Sequence, residues 1–175
     1  NKGNANTYAT YGTAISEVEI DALTGEVRVD RVDVLMDLGT QLDAAVDMGQ
    51  IQGGFMIALG YLLTEELKVD ADGTELHLGT WDYKIPGAYD IPVEFNVQLL
   101  KDSPNPVGIK GSKASAEPSM CLLPSVYLAV KNAIYAAREE VGLGDAWFML
   151  NAPLTPEAIR RAVAVPEAQL DVPHQ

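Results

Sequence analysis

Residues 111–119 read Gly-Ser-Lys-Ala-Ser-Ala-Glu-Pro-Ser and lead from a loop of small residues into an apolar run. Pro118 has a fixed φ and no backbone N–H, so it suits the first position of a helix and leaves Glu117 in the cap region. The small residues before Glu117 allow backbone N–H groups to approach a ligand closely. The stretch predicts a carboxylate at the mouth of a helix, and the residues alone allow two roles for it: an ordinary acidic cap, or a base that abstracts a proton.

The apolar run that follows predicts a long helix over residues 118–141. Apolar residues recur there three and four positions apart, at Val126, Ala129, Val130, Ala133, Ile134 and Ala137. Cys121, the only cysteine, lies in this run, and a buried thiol is its expected state. Gly142 and Gly144 follow the run, as glycines commonly follow helices. Further along, Thr155 and Pro156 predict the N-cap and the first residue of a last short helix.

Alternating residues predict strands upstream of the long helix. Residues 11–20 and 27–36 flank a turn-forming segment, and the second of them alternates valines with charged residues. This pattern predicts a β-hairpin with one face in water. Residues 67–69 and 76–78 predict two further short strands, and residues 93–100 predict a longer one.

A second long helix is predicted over residues 47–67. Four glycines lie within it: Gly49, Gly53, Gly54 and Gly60. Each glycine costs a helix about 1 kcal/mol relative to alanine, so some contact must make use of them. The residues alone allow close packing against a neighbouring sheet or close approach to a cofactor. Together with the strands, the two long helices predict an α+β fold.

Composition limits the classes of partner. The chain has 175 residues, 47% of them apolar, and a formal net charge of −13. This charge argues against nucleic acid and anionic membrane surfaces, and we expect no segment of membrane-span length. One cysteine with two histidines, His77 and His174, cannot supply an internal disulfide, a zinc site or an iron–sulfur cluster. We expect a cytoplasmic protein, and the absence of an initiator Met suggests a fragment, a processed chain or one subunit.

Other motifs for chemistry are incomplete. Residues 49–53 lack the third glycine of a dinucleotide fingerprint, and residues 108–113 lack the Gly-Lys-Ser order of a phosphate loop. Asp70 and Asp72 lack the terminal glutamate of a calcium loop. Two histidines leave a serine hydrolase only as a remote alternative.

Three segments, in this order along the chain, resemble motifs of the molybdenum hydroxylases, the xanthine dehydrogenase and aldehyde oxidase family. Residues 49–53, Gly-Gln-Ile-Gln-Gly, resemble the Gly-Gln-x-x-Gly helix of that family. Residues 83–86, Tyr-Lys-Ile-Pro, are similar to its linker before a strand. Residues 112–118 are similar to its Ser-Lys-Ala-x-Gly-Glu-Pro loop. The resemblance extends over residues 11–162 and covers only the C-terminal portion of the molybdenum-binding region of the family.

The resemblance implies a cofactor and a reaction. Members of the family hold molybdenum on molybdopterin, plain or in its cytosine dinucleotide form, and no protein side chain ligates the metal. They hydroxylate an N-heterocycle such as xanthine or another purine, or an aldehyde, with oxygen derived from water. By match of motif, Glu117 is the base that deprotonates Mo–OH, and hydride passes to Mo=S.

The resemblance also implies contacts with the cofactor. The amide of Gln50 occupies the position that contacts it, and the backbone at Lys113, Ala114, Ser115 and Ala116 matches the loop that wraps the pterin. For the Lys113 side chain, a solvated charge and a direct cofactor contact stay equally open. The family commonly has glycine where this chain has Ala116. If that position requires a positive φ, alanine is strained there by about 1 kcal/mol, and if it does not, nothing is lost.

The implied organisation is one part of a larger enzyme. Residues 1–164 correspond to the C-terminal part of the molybdopterin-binding domain, and residues 165–175 to a flexible tail. The implied partners are the remainder of the molybdenum-binding region, modules with a 2Fe–2S cluster and FAD on other segments or subunits, a small-molecule substrate and further copies in an oligomer. The alternative is a non-catalytic, acidic binding or assembly domain that retains the fold.

Overall fold

The predicted hairpin is present in the computed structural model, which describes residues 6–144 and 146–165. Strand β1, Tyr11–Ile20, pairs antiparallel with strand β2, Val27–Asp37. The predicted wet face is confirmed, because ion pairs such as Arg31 with Asp33 line the side of the sheet that faces solvent.

A third strand completes the sheet. Strand β3, Glu94–Leu99, pairs parallel with β2, so the order is β1-β2-β3 and Leu99 lies opposite Met36. The predicted strand over residues 93–100 is therefore confirmed within one residue at each end. Parallel strands require a crossover connection, and here that connection includes the glycine-containing helix.

That helix begins and ends earlier than predicted. Helix α1 spans Ala44–Leu63 rather than residues 47–67. It begins at Ala44 because the Asp43 carboxylate accepts hydrogen bonds from the backbone N–H groups of the first turn, at 2.9 and 3.2 Å.

The single helix predicted over residues 118–141 is in fact two. Helix α2 spans Ala116–Met120 and helix α3 spans Pro124–Glu140. Pro124 cannot donate to the carbonyl of residue 120, so it begins a new helix instead of continuing the first. Cys121 lies in the turn between them and is exposed, which corrects the expectation of a buried thiol.

The last helix begins as predicted, and the two short strands do not form. Helix α4 spans Pro156–Val163, and the Thr155 hydroxyl accepts from a backbone N–H of its first turn at 3.3 Å. In place of strands at residues 67–69 and 76–78, this region has only an isolated bridge, between Val69 and Glu75. Among the described residues, none of the strands β1 to β3 pairs with either segment, so a longer ladder of hydrogen bonds does not develop. In the predicted tail, residues 166–175 lie outside the described residues.

One apolar cluster joins the covered face of the sheet to the helices. Its fully buried large side chains are Val32, Met36, Leu38, Ile51, Phe55, Leu59, Val126, Val130, Ile134, Leu154, Ile159 and Val163. The sheet, α1, α3 and α4 thereby hold one another in place, and they fix the end of β2 relative to α1.

Taken together, α2, the turn and α3 span Ala116–Glu140, 25 residues, which has the length and composition of a membrane-crossing segment. This corrects the expectation that no segment reaches that length. The core helix of a soluble protein meets the same criterion of length and composition.

Candidate functional site

The end of β2 is tied to the loop that contains most of the candidate residues. The Lys113 ammonium donates to Asp37 Oδ2 at 2.6 Å, and the two side chains are only 8% and 5% exposed. The Lys113 N–H also donates to the Leu38 carbonyl at 2.8 Å. The ammonium lies 5.1 Å from the centroid of the Tyr11 ring, within range of a cation–π contact. A solvated Lys113 side chain is therefore the wrong interpretation.

Two glycines bring the segments into backbone contact beside this ion pair. Gly39 has φ of 66° and Gly111 has φ of 81°, conformations that favour glycine. A Cβ at Gly39 would lie under 3.0 Å from the Gly111 carbonyl oxygen, and Thr40 N–H donates to that same oxygen at 2.7 Å. We call the contacts of residues 37–40 with residues 111–113 the clasp.

The Asp37 carboxylate is held in its ionised form. Burial opposes ionisation, but hydrogen bonds from Lys113, from the Gly39 N–H and from Ser103, together with the Lys113 charge, outweigh it and hold the pKa of Asp37 below its usual range. The Gly39 N–H donates to Oδ1 at 2.9 Å while Lys113 donates to Oδ2, so both oxygens are engaged. This carboxylate is thereby fixed in one orientation.

Helix α2 begins directly after the clasp. Its N-cap is Ser115, whose side chain makes no capping hydrogen bond. Glu117 is the second residue of the helix and Pro118 the third, which corrects the expectation that Pro118 comes first and Glu117 in the cap region. The Glu117 side chain is exposed. Ala116 has helical backbone and is absent from the described residues with positive φ, so the strain considered for alanine does not arise.

Helix α1 crosses α2 at Gly54. A Cβ at Gly54 would lie under 3.0 Å from both the Ala116 carbonyl oxygen and the Ser119 hydroxyl. Ser119 is fully buried and donates to the Ala116 carbonyl at 2.6 Å. Gln50, exposed, lies one turn before Gly54 on α1. The helix of Gln50 and the helix of Glu117 are therefore in backbone contact.

The four glycines of α1 divide into two kinds. Gly54 packs against α2 and Gly60 against Pro86, so these two glycines serve close packing, but against a helix and a loop and not against the sheet as predicted. Gly49 and Gly53 are exposed, and a Cβ at either would meet nothing within 4 Å among the described residues. No contact within the described chain explains these two glycines.

Sequence reasoning missed the partners of the loop. The sequence patterns did not identify Asp37, Gly39 or Tyr8 as partners of the loop, although the Tyr8 hydroxyl accepts from the Ala114 N–H at 3.1 Å. One signal was present: Asp37 closes β2 directly after three apolar residues, and the loop of small residues contains a single long cation, Lys113. Within residues 6–144 and 146–165, no group of three or more His, Cys, Asp or Glu side chains is arranged to hold a metal ion.

Known proteins match this chain in sequence. Residues 1–92 match the family model of the molybdopterin cofactor-binding domain. Xanthine dehydrogenase 1 of Arabidopsis thaliana is 50% identical over 168 residues, which cover 92% of this chain and 12% of that protein. Xanthine dehydrogenase/oxidase of Gallus gallus is 48% identical over 162 residues, with coverage of 93% and 12%. The chain thus spans about one eighth of the length of these relatives.

Solved structures match the fold. Quinoline 2-oxidoreductase from Pseudomonas putida 86 superposes with a TM-score of 0.71 and 32% identity, over 83% of this chain and 17% of that one. CO dehydrogenase from Oligotropha carboxidovorans superposes with a TM-score of 0.74 over 87% of this chain and 18% of that one, and its 23% identity supports the fold alone. The predicted α+β fold and the resemblance to the molybdenum hydroxylases are both confirmed. The chain belongs to the molybdopterin cofactor-binding domain family of these enzymes.

Proposed function

We propose that this chain forms one wall of the molybdenum-cofactor site of an oxidoreductase that hydroxylates a small, electron-poor substrate. The observation that supports this most directly is the crossing at Gly54, where the helix of Gln50 meets the helix of Glu117. Two motifs far apart in sequence thereby come together. Relatives named xanthine dehydrogenase at 45–50% identity favour an N-heterocycle of the purine type over an aldehyde.

The polar residues and glycines at this crossing suit a pterin cofactor. The amide of Gln50 both donates and accepts hydrogen bonds, and Ser115 has a hydroxyl that is not used for capping. Gly49 and Gly53 leave open surface beside Gln50, where a flat ligand can approach the helix backbone. When bound, molybdopterin-molybdenum, plain or as the cytosine dinucleotide, supplies the redox centre that accepts two electrons from the substrate.

The loop offers fewer backbone donors than its sequence implied. The N–H groups of Lys113 and Ala114 donate to Leu38 and to the Tyr8 hydroxyl, respectively. Backbone donation to the pterin therefore falls to Ser115 and Ala116, and the other two residues contribute the shape of the wall. We propose that Glu117 accepts, at a carboxylate oxygen, the proton of the water-derived hydroxyl that is transferred to the substrate.

The proposal extends to partners outside this chain. Many large apolar side chains are exposed, among them Trp81, Leu78, Tyr89, Ile85 and Val93. Such a surface fits a segment that packs against the remainder of a molybdenum-binding region. The 2Fe–2S cluster and FAD would lie in other modules of an oligomeric, cytoplasmic enzyme.

Glu117→Gln in the complete enzyme tests the base. The amide cannot accept the proton, so turnover falls by about two or more orders of magnitude while the molybdenum content stays near normal. Glu157→Gln is the matched control, because Glu157 also lies exposed in the first turn of a helix, α4, and should leave turnover unchanged. A rate of substrate-dependent enzyme reduction near that of the parent would remove Glu117 from the mechanism.

Molybdenum and pterin analysis of the natively purified assembly separates this proposal from the alternative of a non-catalytic, acidic binding domain. If the chain belongs to the proposed enzyme, we expect the assembly to contain both in stoichiometric amounts. An assembly that contains neither, after purification that preserves labile cofactors, supports the alternative.

A further inference from the structure

The Asp37–Lys113 pair differs from the other ion pairs of the described residues. In each of those, one partner is at least about half exposed, as with Arg31 and Asp33 at 49% and 39%. Lys113 and Asp37 are almost fully buried. Because removing two charges from water offsets most of their attraction, a buried pair adds little net stability. What it does fix is geometry, since each charge must keep its partner.

Lys113 lies four residues before Glu117, and the chain between them is also held by the hydrogen bond from the Ala114 N–H to the Tyr8 hydroxyl. Ser115 does not cap α2 through its side chain, so the helix lacks the local hydrogen bond that usually sets its first residue. The start of α2 is held instead by the clasp and the Tyr8 hydrogen bond on one side and by the contact with Gly54 on the other. The ion pair is the charged element of the clasp, and it joins residues 76 apart in sequence.

We propose that Asp37 and Lys113 are positioning residues, which set where the Glu117 carboxylate stands relative to the helix of Gln50. This inference rests on the proposed role of Glu117 as the base. Removal of either charge leaves the other buried and unpaired, and the loop then relaxes away from the end of β2. Glu117 remains present but is displaced, and a displacement of about 1 Å is enough to lower a rate by about 100-fold.

The test uses the complete enzyme and four variants: Lys113→Met, Asp37→Asn, Lys113→Arg and Glu117→Gln. We expect Lys113→Met and Asp37→Asn to lower the rate of enzyme reduction at saturating substrate, per bound molybdenum, by about 10- to 100-fold. The substrate Kd should change less than about twofold, because no substrate contact is removed. Lys113→Arg keeps the charge and should recover most of the rate.

A double substitution distinguishes positioning from general stability. If the pair acts through Glu117, then Lys113→Met adds no further loss of rate in the Glu117→Gln background. Additive losses would overturn the inference, and so would an unchanged rate per molybdenum in Lys113→Met and Asp37→Asn with only a lower Tm. If Lys113→Met does not load molybdenum, the isosteric Asp37→Asn and the charge-retaining Lys113→Arg take its place. The same two measurements then decide between positioning and general stability: the rate per bound molybdenum, and the additivity of losses in the Glu117→Gln background.

Arg31→Met is the matched control, since it breaks an exposed ion pair on the same strand and should leave the rate unchanged. The outcomes also separate this inference from the proposed function. If Glu117→Gln itself retains the parent rate, the proposed base is wrong. If Glu117→Gln loses the rate and the clasp variants do not, only the positioning role is wrong.

Discussion

Gly53 and Gly54 are neighbours on α1, yet they face different surroundings. A Cβ on Gly54 would lie under 3.0 Å from the backbone of α2, whereas a Cβ on Gly53 would meet nothing within 4 Å. The inner glycine allows two helices of this chain to touch. The outer glycine costs helix stability, and no contact among the described residues compensates for that cost.

The largest effect should come from Gly54→Ala, which tests the inner face. The added methyl group meets a backbone oxygen that cannot rotate away, so α1 and α2 must separate at a cost of about 3 kcal/mol. We expect the complete enzyme to show a lower Tm together with loss of molybdenum. An unchanged Tm would mean that the two helices pack less closely than the structure shows.

Gln50→Leu tests the outer face through its amide. Loss of the donor and acceptor should weaken cofactor binding by about 1 to 3 kcal/mol, and the molybdenum content of the purified enzyme should fall first. Gln52→Leu, two residues further along α1, is the control and should retain the metal. Full occupancy and activity in Gln50→Leu would make Gln50 a surface residue without a ligand.

Gly53→Ala sharpens the contrast with Gly54, because the same substitution should raise the stability of the protein at Gly53 and lower it at Gly54. In cofactor-free enzyme the added methyl group meets no atom of this chain, so the gain in helix propensity should raise stability by about 1 kcal/mol. The measurement is thermal unfolding of the apoprotein, with molybdenum content as a second readout. A lower Tm in Gly53→Ala would show that another segment of the enzyme packs against this glycine.

The smallest effect is expected for Ile57→Ser, one turn beyond Gly53 on the outer face. Its side chain is already 61% exposed, so the substitution should change the folding free energy contributed by this segment by about 0.5 kcal/mol or less. Urea unfolding of the complete enzyme measures this change in folding free energy. A loss of several kcal/mol would show that a partner segment buries Ile57.

Local patterns predicted the elements better than their contacts. The alternation in residues 27–36 indicated the hairpin, and Thr155 with Pro156 indicated the start of α4. The break before Pro124 was missed because the apolar spacing continues through it, although the proline cannot donate within a continuous helix. The exposure of Cys121 follows from that break.

The site was predicted only in part, because its contacts join elements that are distant in the sequence. Motif similarity selected Gln50 and Glu117, and the structure brings their helices into contact. The sequence did not decide the contacts of the Lys113 side chain, since the residues around it include no acidic partner before Glu117. Its partner, Asp37, belongs to another element, and only the tertiary structure brings the two charges together.

The sequence separation of the clasp has a consequence for how the chain folds. The hairpin pairs segments joined by one short turn, whereas Lys113 and Asp37 are 76 residues apart, and Ala114 and Tyr8 are 106 residues apart. Closing a longer loop costs more entropy, so we expect the hairpin to form early and the clasp late. Synthesis order adds to this delay, because a growing chain completes β2 well before residue 113 exists. The proposed base is therefore among the last groups to reach its place.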